Sequence, residues 1–176
     1  MAHVLMVVAQ RNFRDEELFD TKLELERAHH ACTIASQDAG TCTGSRGRKT
    51  VASLALESAD ADAYDAVVFV GGPGATVLFE DPTALAIARA MNTDGKVVAA
   101  ICIAPTVLAN AGVLRGRRAT AFPSEIETIT AAGATYAGAG VCVDGNVVTA
   151  SGPDRAIAFG RELAKLLDTH GARAAE

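Results

Sequence analysis

Residues 97–105 read Val97-Val98-Ala99-Ala100-Ile101-Cys102-Ile103-Ala104-Pro105. An apolar run over 96–100 with no polar alternation predicts a strand covered on both faces, as in a parallel sheet. A helix is predicted over 103–111, ended by Gly112. A strand that passes straight into a helix is crowded at the turn, so its flanks must be small. Ala100 and Ala104 stand two residues to either side of Cys102. That is the logic of a nucleophile elbow, which lifts the thiol above the end of the sheet. It also sets Cys102 at a helix N-terminus, where free N–H groups and the helix dipole favour a thiolate. A cysteine merely packed at a strand end fits the same spacing.

Outward from that stretch the pattern repeats. Apolar, β-branched runs at 4–9, 31–35 and 66–70 predict further buried strands. Between them lie helical stretches at 14–30 and 82–91. Asn12 is placed to cap the first helix, and Asp15, Glu16 and Glu17 fall in its first turns, where the dipole favours acids. Asp81 caps the second, with Pro82 at its first position. Residues 40–51 predict a hairpin, and Asp60, Asp62 and Asp65 surround a turn. A short strand at 119–121 is followed by a helix capped by Ser124. The Asp144-Gly145 pair predicts a second hairpin over 141–148. A last helix runs from Pro153 to Asp168, with a frayed tail over 171–176. Strands alternating with helices predict an α/β three-layer sandwich: a mostly parallel sheet with helices on both faces, as one domain over 1–170. Ligand sites in such sheets lie beyond the C-terminal strand ends. These are the segments after Ala9, Val70 and Ala100, and near Gly152.

Composition narrows the function. The chain has 176 residues, 49% hydrophobic and 21% charged, which excludes a disordered chain. Its net charge of −5 and 5% aromatic content argue against nucleic acid as a partner. No signal peptide and no bilayer-spanning run is present, so the expectation is a cytoplasmic protein without a membrane partner. The four cysteines form no CxxC pair and no metal-type spacing, so no metal and no cofactor is expected.

Several groups compete for a chemical role. Gly71-Gly72-Pro73-Gly74 ends one predicted strand. Glycines there let backbone N–H groups approach a bound oxygen, though the same residues make an ordinary tight turn. The Lys-Ser/Thr pair of a phosphate loop is absent. Glu17 precedes Leu18 and Phe19 on a helix starting above the first strand, so its carboxyl is placed to meet Cys102. Asp15 and Glu16 suit a solvated helix start. His3, His29, His30 and His170 fall on no candidate loop. Asp154 and Arg155 open the last helix near the same sheet edge and are candidates for substrate contact. Cys32, Cys42 and Cys142 read as structural.

Val70-Gly71-Gly72-Pro73-Gly74, Ala100-Ile101-Cys102-Ile103-Ala104-Pro105, Ala111-Gly112-Val113-Leu114-Arg115-Gly116-Arg117 and Val143-Asp144-Gly145-Asn146 together resemble the ThiJ/PfpI family, across roughly residues 2 to 168. The resemblance implies the flavodoxin-like, class I glutamine-amidotransferase-like sandwich and a homodimer or higher homo-oligomer. It implies Cys102 as the reactive cysteine and Glu17 as the glutamate that hydrogen-bonds it. It makes Gly72 and Ile103 the oxyanion-binding N–H donors and sets Arg27 near a dimer interface, on a helix face read as Leu23, Leu25 and Arg27. Departures are informative. Protease-like members carry His where Ile103 stands, so peptidase activity loses its base. Phe122 and Ser151 replace a histidine and an arginine of one branch of the family. Val70 and Ala104 replace a proline and a glycine.

The resemblance implies a cysteine-dependent glyoxalase or deglycase acting on a small carbonyl substrate, a 2-oxoaldehyde or its adducts. Two alternatives stand beside it: a redox sensor or holdase chaperone using an oxidisable Cys102, and a hydrolase or hydratase of small amides or isonitriles.

Overall fold

A computed structural model describes the backbone of residues 1–174 and the side chains of residues 1–171. Seven strands form the central sheet. They are β1 (His3–Val7), β2 (Ala31–Ser36), β3 (Leu54–Ala55), β4 (Ala66–Phe69), β5 (Val97–Ile101), β6 (Val141–Asp144) and β7 (Val147–Ala150). Their spatial order is β6-β7-β5-β4-β1-β2-β3. Every neighbouring pair is parallel except β6 with β7, the Asp-Gly hairpin read from the sequence. The chain lays β2 and β3 to one side of β1, then crosses back to place β4 and β5 on the other. The order therefore reverses between β1 and β4, where α/β sheets leave a crevice.

Alternation within the strands explains the three layers. Leu5, Val7, Val67, Phe69, Val98 and Ala100 point to one face. There they meet α2 (Pro82–Thr93), α3 (Pro105–Asn110) and α4 (Ile126–Ala131) through Ala84, Met91, Leu108 and Ile129. Val4, Met6, Val68, Val97, Ala99 and Ile101 point to the other. That face is closed by α1 (Asp15–Arg27) and α5 (Ala156–Ala174), which bring Leu18, Leu25, Phe159, Leu163 and Leu167. Such fully buried side chains carry the stability, with Phe→Ala changes costing about 3–5 kcal/mol. The helices α1 and α5 touch closely because residue 160 is glycine; a Cβ there would lie 2.8 Å from Glu24 Cβ and 3.0 Å from Thr21 O. A second, three-stranded sheet joins Arg11–Phe13 to the hairpin Gly40–Gly44/Lys49–Ala52.

Four local readings need correction. Asn12 does not cap α1: it sits at φ 62 in an added strand, and Arg14 occupies the cap position without a side-chain bond. Ser124 does not cap α4, because Pro123 opens a 3-10 turn one residue earlier and the α-helix begins only at Ile126. Leu25 does not share an exposed face with Leu23. Positions i and i+2 of a helix are about 200° apart, so Leu25 is buried in the core while Leu23 is half exposed. The last helix continues past Asp168 to Ala174, with Thr169 Oγ1 donating to Lys165 O at 3.0 Å. Residues 175 and 176 of the expected tail lie outside the described residues. Asp81 caps α2 as read, its Oδ1 accepting from Thr83 and Ala84 N–H at 2.9 and 3.0 Å.

Candidate active site

The turn between β5 and α3 holds Cys102 at φ 65. Left-handed backbone is costly for a residue with a Cβ, so the surroundings must enforce it. Two hydrogen bonds do so: Cys102 N–H donates to Ala150 O at 2.9 Å, and Phe122 N–H donates to Cys102 O at 2.8 Å. The elbow is thus tied to β7 and to the segment before α4. The thiol is 7% exposed.

Above it sits Glu17, in the first turn of α1 and 0% exposed. Its two carboxyl oxygens close no well-aligned hydrogen bond. The groups they face are the Cys102 thiol and the Gly71 N–H. Gly71 explains how the pair comes so close. A Cβ at residue 71 would lie 2.7 Å from both Cys102 Cβ and Glu17 Oε2. Gly72, at φ 104, lacks a side chain because a Cβ would overlap the Arg14 amide and the backbone of Asn12 and Phe13. Its N–H and that of Ile103 both face the Cys102 sulfur.

Burial dominates the electrostatics. It pushes the Glu17 carboxyl up to about 8 against the opposing pull of the thiol, the Gly71 N–H and Arg14, so the group is neutral at pH 7. Cys102 is pushed up to about 12, first by burial and then by the charge and acceptor oxygens of an ionised Glu17; the two N–H groups oppose this. The sequence reading expected a depressed thiol, and the structure reverses that direction. One reason is burial, which α3, beginning three residues beyond Cys102 and only six residues long, brings little dipole to oppose. The other is that Glu17, when ionised, repels the thiolate. A neutral Glu17 removes that repulsion and offers a donor instead. The two groups therefore share their titration.

The structure brings together Cys102, Glu17, Gly72 and Ile103. Phe122 lies at the same mouth, 41% exposed, and Gly152 lies between its ring edge and the Asp154 carboxylate. Asp154 and Arg155 are exposed and pair with each other at 3.6 Å. Ser151 is turned toward the loop before β6, its Oγ accepting from Gly140 N–H at 2.9 Å. Arg27 pairs with Glu24 at 2.9 Å. His30 and His170 line a cavity of about 510 Å³ beyond the opposite ends of the strands, with Met1, Asp65 and Lys96. Cys32, Cys42 and Cys142 stand in strands, and burial raises all three thiols, Cys32 to about 11. Among the described residues no cluster of His, Cys, Asp or Glu fits a metal ion, and no helix is long and apolar enough to cross a membrane.

Sequence reasoning missed two residues. Asp15 is not a solvated acid: it is 2% exposed and accepts from the Arg46 and Arg48 amides at 2.8 and 2.9 Å, fixing the 44–48 turn beside the site. Arg14 lies at the site as well, and only its position one helical turn before Glu17 signalled this.

Fold and site define a flavodoxin-like protein with a cysteine at a nucleophile elbow and a buried glutamate facing it. The chain belongs to the DJ-1/PfpI family, whose sequence profile matches residues 2–166. It is 40% identical over 170 residues to an uncharacterized protein of Methanocaldococcus jannaschii, covering 95% of this chain and 83% of that one. It is 36% identical to a deglycase of Pyrococcus abyssi, covering 93% and 98%. The crystal structure of a ThiJ/PfpI domain protein from Brachyspira murdochii matches with a TM-score of 0.93 at 32% identity, over 95% and 96% of the two chains.

Proposed function

We propose that this protein is a cysteine-dependent enzyme of the glyoxalase/deglycase type, acting on 2-oxoaldehydes or their adducts. The observation that carries this reading is the strained, left-handed Cys102 facing a buried carboxyl with no other well-aligned partner. The naming of similar proteins as deglycases supports it. Glu17, once ionised, takes the thiol proton, and the sulfur adds to the aldehyde carbon to give a hemithioacetal. The developing oxyanion is held by Gly72 and Ile103 N–H and takes the proton from Glu17, which is ionised again. Glu17 then moves a proton from the former aldehyde carbon to the neighbouring one, while the hydroxyl proton of the first carbon passes to the carbonyl oxygen of the second. The first carbon is oxidised to a thioester and the second reduced to an alcohol, so no outside oxidant is consumed. Water releases the 2-hydroxy acid and restores the thiol. Peptide cleavage is not part of the reading, because Ile103 supplies no base and the cavity holding His30 and His170 lies at the other end of the sheet.

The test is conversion of methylglyoxal to lactate by wild type, Cys102→Ala and Glu17→Gln. Turnover by wild type alone supports the mechanism. No turnover by wild type, with Cys102 oxidised stoichiometrically by dilute peroxide, favours a redox sensor.

A further inference from the structure

The Cys102 site carries one cation that the proposed chemistry does not use. Arg14 caps α1 one turn before Glu17. Its N–H donates to Gly71 O at 3.0 Å, and Gly72 has no side chain that would collide with it. Its backbone is thus locked against the turn whose next amide, Gly72 N–H, faces the Cys102 sulfur. The side chain is 27% exposed, and its Nε donates to Glu16 Oε2 at 2.6 Å. A guanidinium has five N–H donors. The Nε bond is the one hydrogen bond of this side chain among the described residues, which leaves both terminal nitrogens for a ligand. Arg14 is held in its charged state first by its hydrogen bond to Glu16, and charge that develops on Glu17 or Cys102 adds to this. Beside the thiol, Ile103 follows Cys102 directly and Phe122 N–H donates to Cys102 O, and both residues are apolar, on a chain of net charge −5. A guanidinium with free terminal nitrogens near such residues fits a ligand with a short stem and a carboxylate end.

We propose that Arg14 is a specificity-determining residue of the Cys102 site, selecting 2-oxoaldehydes that carry a carboxylate. The carboxylate pairs with the terminal guanidinium nitrogens while the aldehyde carbon meets the sulfur. This rests on the aldehyde reading above.

Alkylation of Cys102 by iodoacetate and by iodoacetamide tests it without requiring turnover, because the two reagents are similar in size and differ in charge. Rates at Cys102 are read by peptide mapping and expressed as the iodoacetate/iodoacetamide ratio, relative to that of 2-mercaptoethanol. At low ionic strength the wild-type ratio is expected to exceed the reference by about tenfold. It should fall toward the reference in Arg14→Gln, persist in Arg14→Lys, and shrink in about 0.5 M salt. Methylglyoxal and 4,5-dioxopentanoate, a carboxylated 2-oxoaldehyde, are then compared in the same variants. The KM ratio should move in the same direction. A ratio identical in wild type and Arg14→Gln, with both folded by circular dichroism, overturns the proposal. The expected alkylation pattern without turnover of either aldehyde by wild type overturns the aldehyde reading and the substrate class, while upholding Arg14 as the anion-binding residue.

Discussion

Cys102 and Glu17 come together over a residue that has no side chain: Cys102 Cβ and Glu17 Oε2 each lie 2.7 Å from the point where a Cβ of Gly71 would stand. The distance between the thiol and the carboxyl is therefore set by a third position, in a different loop. Strand β1 leads to Glu17, β4 to Gly71 and β5 to Cys102, so three neighbouring strands each deliver one part.

Gly71→Ala should therefore disrupt the site far more than an alanine at another glycine. The new methyl would also meet Ile101 O at 2.7 Å, a backbone atom that cannot swing aside. Gly112, at φ 78, has nothing within 4 Å of the place a methyl group would take, so Gly112→Ala adds only backbone strain, about 1–2 kcal/mol. Denaturant melts should show Gly71→Ala losing more than Gly112→Ala, together with loss of Cys102 alkylation. Equal losses would mean that Gly71 is an ordinary turn glycine.

The raised Glu17 pKa makes stability depend on pH. The unfolded carboxyl titrates near 4.5 and the folded one near 8. Between those values the folded state holds the extra proton, so the stability present below pH 4.5 is lost as pH rises toward 8. A tenfold difference in proton affinity corresponds to about 1.4 kcal/mol. Glu17→Gln removes the titration, so its melting temperature should exceed that of wild type by more at pH 9 than at pH 5. A gap independent of pH would show that Glu17 does not carry the buried proton.

Much of this was legible from the sequence. The buried strands announced themselves as apolar runs, and the Cys102 elbow as small residues around a strand–helix junction. The strand order, and with it the switch point, came from the structure alone. The ion-pairing of the acidic run was not legible. Asp15, Glu16 and Glu17 look alike as letters, yet one fixes a turn, one pairs with Arg14 and one is buried over the thiol. Their fates depend on which loops pack over α1, and those come from residues 44–48 and 71–72. The direction of the Cys102 titration was lost for a related reason: the length of α3 and the burial of Glu17 are properties of the packed site.

Cys102 should be the thiol whose alkylation has a pH profile tied to Glu17. Losing the first proton from the pair near pH 8 allows the thiolate–carboxylic acid tautomer to form, so the iodoacetamide rate should rise through about 8 rather than 12. Glu17→Leu removes the proton acceptor and leaves burial, moving the midpoint upward and slowing reaction at neutral pH. Burial is the leading cause that raises Cys32, Cys42 and Cys142, and none of them shares its proton with a facing Glu17, so they should react more slowly than Cys102. An unchanged midpoint in Glu17→Leu would separate the two groups chemically.

Strain at the elbow should be measurable as stability. Cys102 holds φ 65 because Ala150 O and Phe122 N–H grip its backbone on both sides. Replacing the CH2SH side chain by a methyl group leaves the Cβ and therefore the strain. Replacing it by hydrogen removes both, and glycine enters left-handed backbone freely. Against this, glycine gains freedom in the unfolded chain, which offsets part of the relief. Left-handed backbone costs a residue with a Cβ roughly 1–2 kcal/mol, more than that offset of about 0.5–1 kcal/mol. Cys102→Gly should therefore be more stable than Cys102→Ala, by up to about 1 kcal/mol in urea melts. Both variants remove the sulfur, so lost chemistry does not enter the comparison. If Cys102→Ala is the more stable of the two, the elbow is relaxed and the backbone does not hold the cysteine under strain.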